Sequence, residues 1–147
     1  MGDAGFSCSW NQTSDKFAVA CQDGYVCVWD VRHADKLAVL GSKQSPQIKG
    51  ACRNVKFSPG GSVDLLMFSE VFDCLIMQHV SYVNIVDART FNQKQSIRVA
   101  PANNDMHISG IAFSAEADSF YVGLENQLLE YYIDTLGRRT FPHGTII

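Results

Sequence analysis

The sequence lacks the features that would place this protein in a membrane or on a nucleic acid. None of its apolar runs reaches the roughly 18 residues that a membrane-spanning helix needs. It has no excess of basic residues, since 12 Lys and Arg stand against 15 Asp and Glu and the net charge is −3. Nucleic acids and anionic membranes attract clustered positive charge. We therefore expect neither nucleic acid nor a membrane among its partners.

The cysteines lack the spacing of a metal site or of a disulfide framework. There are five, an odd number, and none forms a Cys-x-x-Cys pair. The N-terminal residues also lack the basic stretch that begins a signal peptide. These absences predict reduced thiols in an intracellular protein, cytoplasmic or nuclear, with no metal and no cofactor.

Catalytic motifs are absent as well. The sequence contains no Gly-x-Ser-x-Gly, no His-Glu-x-x-His, no P-loop and no Gly-x-Gly-x-x-Gly. Its four histidines are scattered over predicted loops and strand starts, whereas a metal site would need at least two on one face. The sequence therefore predicts a protein that is not an enzyme.

The sequence does contain a strand pattern that occurs three times, at residues 24–32, 81–89 and, more weakly, 127–134. Each copy follows an earlier strand with an aromatic residue, and Trp10 to Trp29 spans 19 positions, as does Phe113 to Tyr132. A four-stranded unit repeated about every 40–45 residues is typical of a β-propeller blade. No segment shows a sustained helical period, so we expect almost no helix.

These patterns predict an all-β chain of three antiparallel four-stranded blades, which form one region over residues 1–147. The blades are expected at about residues 6–40, 52–100 and 108–141, with a last strand at residues 139–141. In the first blade, Asp23-Gly24 lies between two apolar runs, and both residues tolerate the positive φ of a type I′ hairpin turn.

The first copy resembles the WD40 repeat, in which a turn with Asp precedes a strand that ends in Trp-Asp. The positions that match this pattern are Asp23, Gly24, Trp29 and Asp30, followed in the second copy by Val86 and Asp87. The resemblance implies structural roles for these residues and burial of Trp29 between adjacent sheets. It also implies a scaffold that binds other proteins through loops. The Gly-His and the Ser or Thr of the family's hydrogen-bonded tetrad are missing here.

A second resemblance lies in the middle copy. Asp64-Leu65-Leu66 is similar to the Asp-Leu-Leu motif of a short fungal domain of unknown function that is embedded in WD40-like proteins. We therefore expect a fungal protein of this kind.

Charged residues occupy equivalent positions after the strand in the first two copies. Asp30 and Asp87 end their strands, and Arg32 and Arg89 follow two residues later. We expect the aspartates to bond to nearby backbone N–H groups and the arginines to pair with acids on the blade rim, with no catalytic role for either.

The middle copy is longer than its sisters. Phe57 to Val86 spans 29 positions, ten more than the 19 of the first copy, and residues 71–78 account for eight of them. This candidate insert is an extension of a strand, a contact loop or translated non-coding sequence. Its deletion is expected to leave the fold intact.

Three blades leave two outer faces open, because propellers have typically four to eight. We therefore expect part of a larger propeller, with self-association through open blade edges. The leading functional hypothesis is a non-enzymatic protein–protein interaction scaffold. The alternatives are the substrate-recognition subunit of a ubiquitin ligase, a truncated product without independent function, and a propeller hydrolase.

Overall fold

The computed structural model describes residues 4–41, 48–74, 80–99 and 107–134, and all regular structure in these ranges is β-strand. Blade 1 consists of β1 (Gly5–Trp10), β2 (Lys16–Cys21), β3 (Val26–Asp30) and β4 (Lys36–Leu40). Blade 2 consists of β5 (Ile48–Phe57), β6 (Leu65–Cys74), β7 (Val80–Asp87) and β8 (Lys94–Arg98). Blade 3 consists of β9 (Gly110–Phe113), β10 (Ser119–Gly123) and β11 (Leu128–Tyr132).

Each blade is an antiparallel meander in which the strands pair in chain order. The first strand of blade 2, β5, contacts the first strands of both neighbours, β1 and β9. This contact places the first strands innermost and gives the radial arrangement predicted from the repeat. The fourth strand predicted for blade 3, at residues 139–141, lies outside the described residues.

Side chains alternate between the two faces of each sheet, so blade 2 fills two separate cores. We call the face toward the preceding blade the front face and the face toward the following blade the rear face. Leu66 and Phe68 on the front face of blade 2 pack against Ala18 and Val28 of blade 1. Its rear face packs against blade 3 through residues such as Met67. This alternation is what a strand period of two requires.

Three ladders of side chains establish which residues are equivalent between blades. The paired sets are Trp10, Phe17 and Trp29 in blade 1, Phe57, Leu66 and Val86 in blade 2, and Phe113, Phe120 and Tyr131 in blade 3.

The sequence match between Trp29 and Tyr132 is therefore wrong by one residue, and Tyr131 is the equivalent. The cause is the turn between the second and third strands. It joins Ala20 to Val26 in blade 1 but Gly123 to Leu128 in blade 3, which is one residue shorter.

No second sheet covers Trp29 in the described residues, so its burial between adjacent sheets stays a prediction. It is only partly buried, and it stacks on Phe17 with ring centroids 5.2 Å apart. The physical reason is that Trp29 points to the front face of blade 1, whereas its neighbour Val28 points to the rear face and is buried by blade 2.

The hairpin at Asp23-Gly24 forms, but not with the predicted turn geometry. Gly24 has a φ of 87°, whereas Asp23 is not among the residues with positive φ. Asp23 instead accepts a hydrogen bond through Oδ1 from the Tyr25 N–H at 3.3 Å. The turn therefore needs one residue with left-handed backbone, and the aspartate stabilises it through its side chain.

Blade 2 is longer than predicted at one end. β5 begins at Ile48, because its first four residues pair with the end of β6, from Val71 to Cys74. Val71 and Phe72 also pair with Ser81 and Val80 of β7. Residues 71–74 of the candidate insert are thus part of the sheet, and residues 75–78 lie outside the described residues.

Candidate functional site

One edge of the sheets carries the turns between first and second strands and between third and fourth strands, and we call it the loop edge. The first–second turns of the three blades repeat one backbone geometry. Ser14, Gly61 and Ala117 stand at equivalent positions and have φ values of 58°, 82° and 53°. A left-handed residue without glycine is unusual, so this turn is a specified feature of the blade.

A polar side chain closes each of these turns from inside. In blade 1, Asn11 Oδ1 accepts hydrogen bonds from the N–H groups of Asp15 and Lys16, at 3.0 and 2.9 Å. In blade 2, Ser58 Oγ accepts from the Leu65 N–H at 2.9 Å, and in blade 3 Ser114 Oγ accepts from the Ser119 N–H at 3.2 Å. The loop edge is therefore held by hydrogen bonds within each blade.

The loop edge of blade 1 also contains an ion pair between Asp30 and Arg32. Asp30 Oδ1 accepts from the backbone N–H and the Nε–H of Arg32, both at 2.9 Å, and Oδ2 lies 2.6 Å from Arg32 Nη2. These bonds lower the pKa of Asp30 and raise the pKa of Arg32. A bidentate contact of this kind fixes the guanidinium in one orientation.

Blade 2 repeats the same pair with Asp87 and Arg89. The corresponding distances are 3.0, 3.0 and 2.8 Å, and the neighbouring carboxylate of Asp87 raises the pKa of Arg89. In blade 3 the equivalent positions hold Tyr132 and Asp134, so the pair does not recur there. As expected from the sequence, the two aspartates accept hydrogen bonds from nearby backbone N–H groups, and the two arginines pair with acidic side chains.

The Asp-Leu-Leu motif begins β6 and links both cores of the chain. Leu65 and Leu66 are fully buried, Leu65 in the core with blade 3 and Leu66 in the core with blade 1. The carbonyl of Asp64 accepts a hydrogen bond from the Ala88 N–H at 3.1 Å. The motif therefore holds blade 2 between its two neighbours.

Polar contacts also join blades 1 and 2 at the loop edge. Gln12 Nε2 donates to Ser58 Oγ at 3.0 Å and to the Ser62 carbonyl at 3.3 Å. The backbone N–H of Phe57 donates to Ser9 Oγ at 3.0 Å. These bonds fix the relative position of the two blades beyond apolar packing.

A buried polar network in blade 2 was not found by sequence reasoning. Glu70 and Asn84 are both buried, and Asn84 Nδ2 donates to Glu70 Oε1 at 3.0 Å. Ser96 Oγ donates to Asn84 Oδ1. The available signal was the presence of polar residues at positions where strand alternation points inward, and buried polar groups of this kind are normally hydrogen-bonded.

Two of the buried cysteines, Cys21 and Cys52, have thiol pKa values raised by their burial. Cys21, Cys27 and Cys52 are buried and unpaired in disulfides, and Cys8 is exposed. Burial raises the pKa of Cys21 to about 11, and burial also raises the pKa of Cys52, whose Sγ donates to the Gly24 carbonyl at 3.3 Å. Among the described residues, no group of three or more His, Cys, Asp and Glu side chains could hold a metal ion. No helix within these ranges is long and apolar enough to cross a membrane.

The front face of blade 1 is open in the described part of the chain. Its residues are Cys8, Trp10, Phe17, Val19, Cys27 and Trp29, of which Cys27 is buried. Trp10 is 55% exposed, whereas its equivalent Phe57 in blade 2 is 7% exposed. Trp10, Phe17 and Trp29 form a continuous aromatic row, with ring centroids 5.4 and 5.2 Å apart.

Within the described residues, the rear face of blade 3 is open as well. Its residues are Gly110, Ala112, Ser119, Tyr121, Gly123, Leu128, Glu130 and Tyr132. Leu128 is 70% exposed, and it borders a shallow hollow of about 300 Å³. The hollow is lined by Ser109, Gly110, Ile111, Ala112, Tyr121, Gly123 and Leu128.

Comparison with known proteins finds a family model that matches the middle of the chain. Residues 50–98 match the family model described as "Uncharacterised protein domain (DUF2415)", a range that lies within blade 2 and includes the Asp-Leu-Leu motif. A protein of Schizosaccharomyces pombe, "Uncharacterized protein C4G3.03", is 32% identical over 95% of this chain. The chain spans 40% of the length of that relative.

Two solved structures that are similar to this chain are a β-propeller domain and a WD40 domain. One is the β-propeller domain of Cps50 (Swd1) from Myceliophteria thermophila. The match covers 91% of this chain and 39% of the Cps50 chain, with 14% sequence identity and a TM-score of 0.53. The other is the WD40 domain of coronin from Toxoplasma gondii. The match covers 90% of this chain and 32% of the coronin chain, with 15% sequence identity and a TM-score of 0.55. The chain has the WD40 β-propeller fold.

A third structure similar to this WD40-like chain is a component of the outer coat vertex of COPII on membranes. The match covers 88% of this chain and 33% of the COPII component, with 19% sequence identity and a TM-score of 0.63. The predicted fold and the predicted resemblance to a fungal WD40-like protein with a domain of unknown function are thus confirmed.

Proposed function

We propose that this chain is a non-enzymatic protein–protein interaction scaffold that binds its partners through its exposed apolar faces. The observation that carries the proposal is the aromatic row on the front face of blade 1, in which Trp10 is 55% exposed. Large exposed apolar patches mark interaction sites, and Trp is enriched among residues that dominate binding energy.

The arrangement of polar groups supports the same proposal. The repeated Asp–Arg pairs and turn hydrogen bonds are satisfied within the blades, so they stabilise the loop edge. A rigid framework that presents exposed aromatic residues suits binding, because little side-chain entropy is lost when a partner covers them.

A capture experiment tests the proposal. The tagged chain and its Trp10→Ser variant are incubated with a fungal extract, cross-linked and compared by quantitative mass spectrometry. We expect a defined set of proteins to be retained by the original chain and reduced at least tenfold with Trp10→Ser.

The control is Val31→Ser, which removes an exposed apolar side chain at the loop edge, away from both open faces. It should retain the same proteins as the original chain. Identical protein sets for all three forms would contradict the proposal.

The narrower role as the substrate-recognition subunit of a ubiquitin ligase stays a prediction that rests on the fold alone. The propeller hydrolase and the truncated product without independent function stay alternatives. The capture experiment separates them, because ligase components among the retained proteins would favour the first and no retained protein would favour the others.

A further inference from the structure

Blade 2 contains a chain of hydrogen-bonded side chains that crosses three of its strands on the front face. Asn84 on β7 donates from Nδ2 to Glu70 Oε1 on β6 at 3.0 Å, and Ser96 Oγ on β8 donates to Asn84 Oδ1. Glu70 and Asn84 are only 2% and 1% exposed. We call these three residues the polar chain. Blade 1 packs over this face, so the two blades that enclose the polar chain both belong to the described residues.

Blade 3 shows that this place in a blade accepts apolar side chains. The ladder between the second and third strands makes Leu129 of blade 3 the equivalent of Asn84, and Leu124 the equivalent of Glu70. Leu124 and Leu129 lie in or against the core between blades 2 and 3. A carboxylate and an amide are costly to bury even when they are hydrogen-bonded. Blade 2 therefore has polar groups where stability alone favours apolar ones.

The apolar pattern of β6 and β7 does not by itself specify how these two strands pair. Leu65 and Met67 lie in the core with blade 3, and Leu66 and Phe68 lie in the core with blade 1. β7 is likewise buried on both faces over residues 83–86. A shift of register by one residue is strongly penalised only where one face of a strand is polar. Here such a shift would exchange two largely apolar faces, so the apolar pattern opposes it weakly.

The connection between β6 and β7 also restricts their pairing less than the connections in the other two blades do. The last described pair is Phe72 with Val80, so residues 73–79 separate the two positions in the sequence. In blades 1 and 3 only residues 21–25 and 124–127 separate the corresponding positions. A short hairpin loop fixes the register of its strands, whereas a longer connection leaves more registers open. Blade 2 therefore needs another feature that fixes its pairing.

The polar chain supplies such a feature, because its hydrogen bonds depend on the register. Asn84 lies opposite Phe68 on β6 and opposite Ser96 on β8. A shift of β7 by one residue would turn Asn84 to the rear face, since successive side chains of a strand point to opposite faces. The Glu70 carboxylate would then stay buried without this donor, which is strongly unfavourable. The polar chain thus penalises a shifted pairing that the apolar residues tolerate.

We propose that the polar chain is a register lock, which admits one pairing of β6, β7 and β8 and excludes shifted pairings at a cost in stability. A bond of the same kind links β5 to β6 on the rear face, where Asn54 Nδ2 donates to Ser69 Oγ at 3.1 Å. All of these residues fall within residues 50–98, the range of the family match. The inference goes beyond the proposed scaffold function and does not depend on the open faces that carry it.

Replacing the polar chain by the leucines of blade 3 tests the proposal. Glu70→Leu combined with Asn84→Leu should give a folded chain whose denaturation midpoint equals or exceeds that of the original chain. Its amide NMR resonances in β6, β7 and β8 should appear in more than one set, because leucines fit this core in more than one register. The original chain should show one set, with nuclear Overhauser contacts between β6 and β7 that match the described pairing.

Two control variants separate the loss of the polar chain from other changes in the core. Met67→Leu combined with Ile85→Leu alters a directly paired, fully buried position on the same two strands, but on the rear face. Glu70→Gln removes the charge and keeps an oxygen that accepts from Asn84. Both control variants should show one set of resonances.

Ser96→Ala tests the outer end of the polar chain by a change that should leave the fold intact, since Ser96 is exposed. Loss of its bond to Asn84 should speed the hydrogen exchange of the amides of β7 and β8 about tenfold. Lys94→Ala, at another exposed position of β8 on the same face, is the matched control and should leave these rates unchanged.

A single register in the double leucine variant would overturn the proposal, whether that variant is more or less stable than the original chain. More than one set of resonances in either control variant would also overturn it, because the heterogeneity would then not depend on the polar chain. If the double leucine variant does not fold, the exchange rates decide. Rates in Ser96→Ala equal to those in Lys94→Ala would overturn the proposal, and the expected increase would support it.

Discussion

Blades 1 and 2 place equivalent side chains in different surroundings. In blade 2 the front-face ladder of Phe57, Leu66 and Val86 is covered by blade 1 and buried. In blade 1 the equivalent ladder of Trp10, Phe17 and Trp29 remains partly or largely exposed. Burial of a residue in a repeat therefore depends on whether a neighbouring blade is present. Equivalent positions therefore stabilise the contact between blades in blade 2 and are partly or largely exposed in blade 1 of the described residues.

The largest effect is expected from truncating the covered face. Phe68→Ala in blade 2 should lower the free energy of unfolding by about 3–5 kcal/mol, because Phe68 is fully buried between the two blades. Chemical denaturation followed by circular dichroism measures the change. A loss below about 1 kcal/mol would show that the two blades do not pack as described.

The next largest effect concerns the ion pair at the loop edge of blade 2. Asp87→Ala removes the acceptor of three hydrogen bonds from Arg89 and should cost about 1–3 kcal/mol. Arg89→Lys is the matched control, since it keeps the charge but loses the bidentate contact, and it should have a smaller effect. Equal stability of Asp87→Ala and the original chain would assign the pair no structural role.

Trp29→Ala tests the equivalent ladder in blade 1, where the front face is partly exposed. Trp29 is partly exposed on the front face of blade 1, so its removal should cost only about 1–2 kcal/mol, mainly lost contact with Phe17. The same denaturation experiment measures it next to Phe68→Ala. A cost as large as that of Phe68→Ala would mean that the front face of blade 1 is covered in solution.

A smaller effect should distinguish the turns of the blades. Gly61→Ala should lower the free energy of unfolding by about 1 kcal/mol, because Gly61 has a φ of 82°, which strains a residue with a Cβ. The added methyl group would contact no other atom, so packing does not offset this strain. Ala117, at the equivalent turn of blade 3, is fully buried, so Ala117→Gly should change the free energy of unfolding little, because the relief of left-handed strain is offset by the lost burial of the methyl group. Thermal unfolding of both variants checks this difference, and a loss with Ala117→Gly as large as that with Gly61→Ala would contradict it.

The smallest effect is a local dependence on pH at the loop edge of blade 1. Hydrogen bonds from Thr13 and Asn11 lower the pKa of Asp15 to about 2, and Arg32 lowers the pKa of Asp30. Because both folded pKa values lie below the unfolded values, these carboxylates stabilise the fold above about pH 4. The stabilisation is lost as the pH falls through the folded pKa values.

Carboxyl resonances of Asp15 and Asp30 in NMR titrations measure this effect directly. An ordinary pKa for Asp15 would contradict the hydrogen bonds from Thr13 and Asn11.

The sequence alone determined the strands, their meander order and the equivalence of Asp30 with Asp87. These features follow from alternation, turn residues and repeat length, which are local properties of the chain. The residue types of the Asp-Leu-Leu motif were equally visible, but their role was not. That Leu65 and Leu66 serve opposite cores depends on two sheets lying on either side of β6.

Only the tertiary structure decided the register of blade 3 and the exposure of Trp29. A turn shortened by one residue moves Tyr131 into the ladder, and counting from Phe113 could not detect it. Trp29 has the residue type of a core position, but no described residue packs over it from a preceding blade. Burial is a property of two surfaces together, so the sequence of one strand specifies which face a side chain takes and the neighbouring sheet decides whether that face is buried.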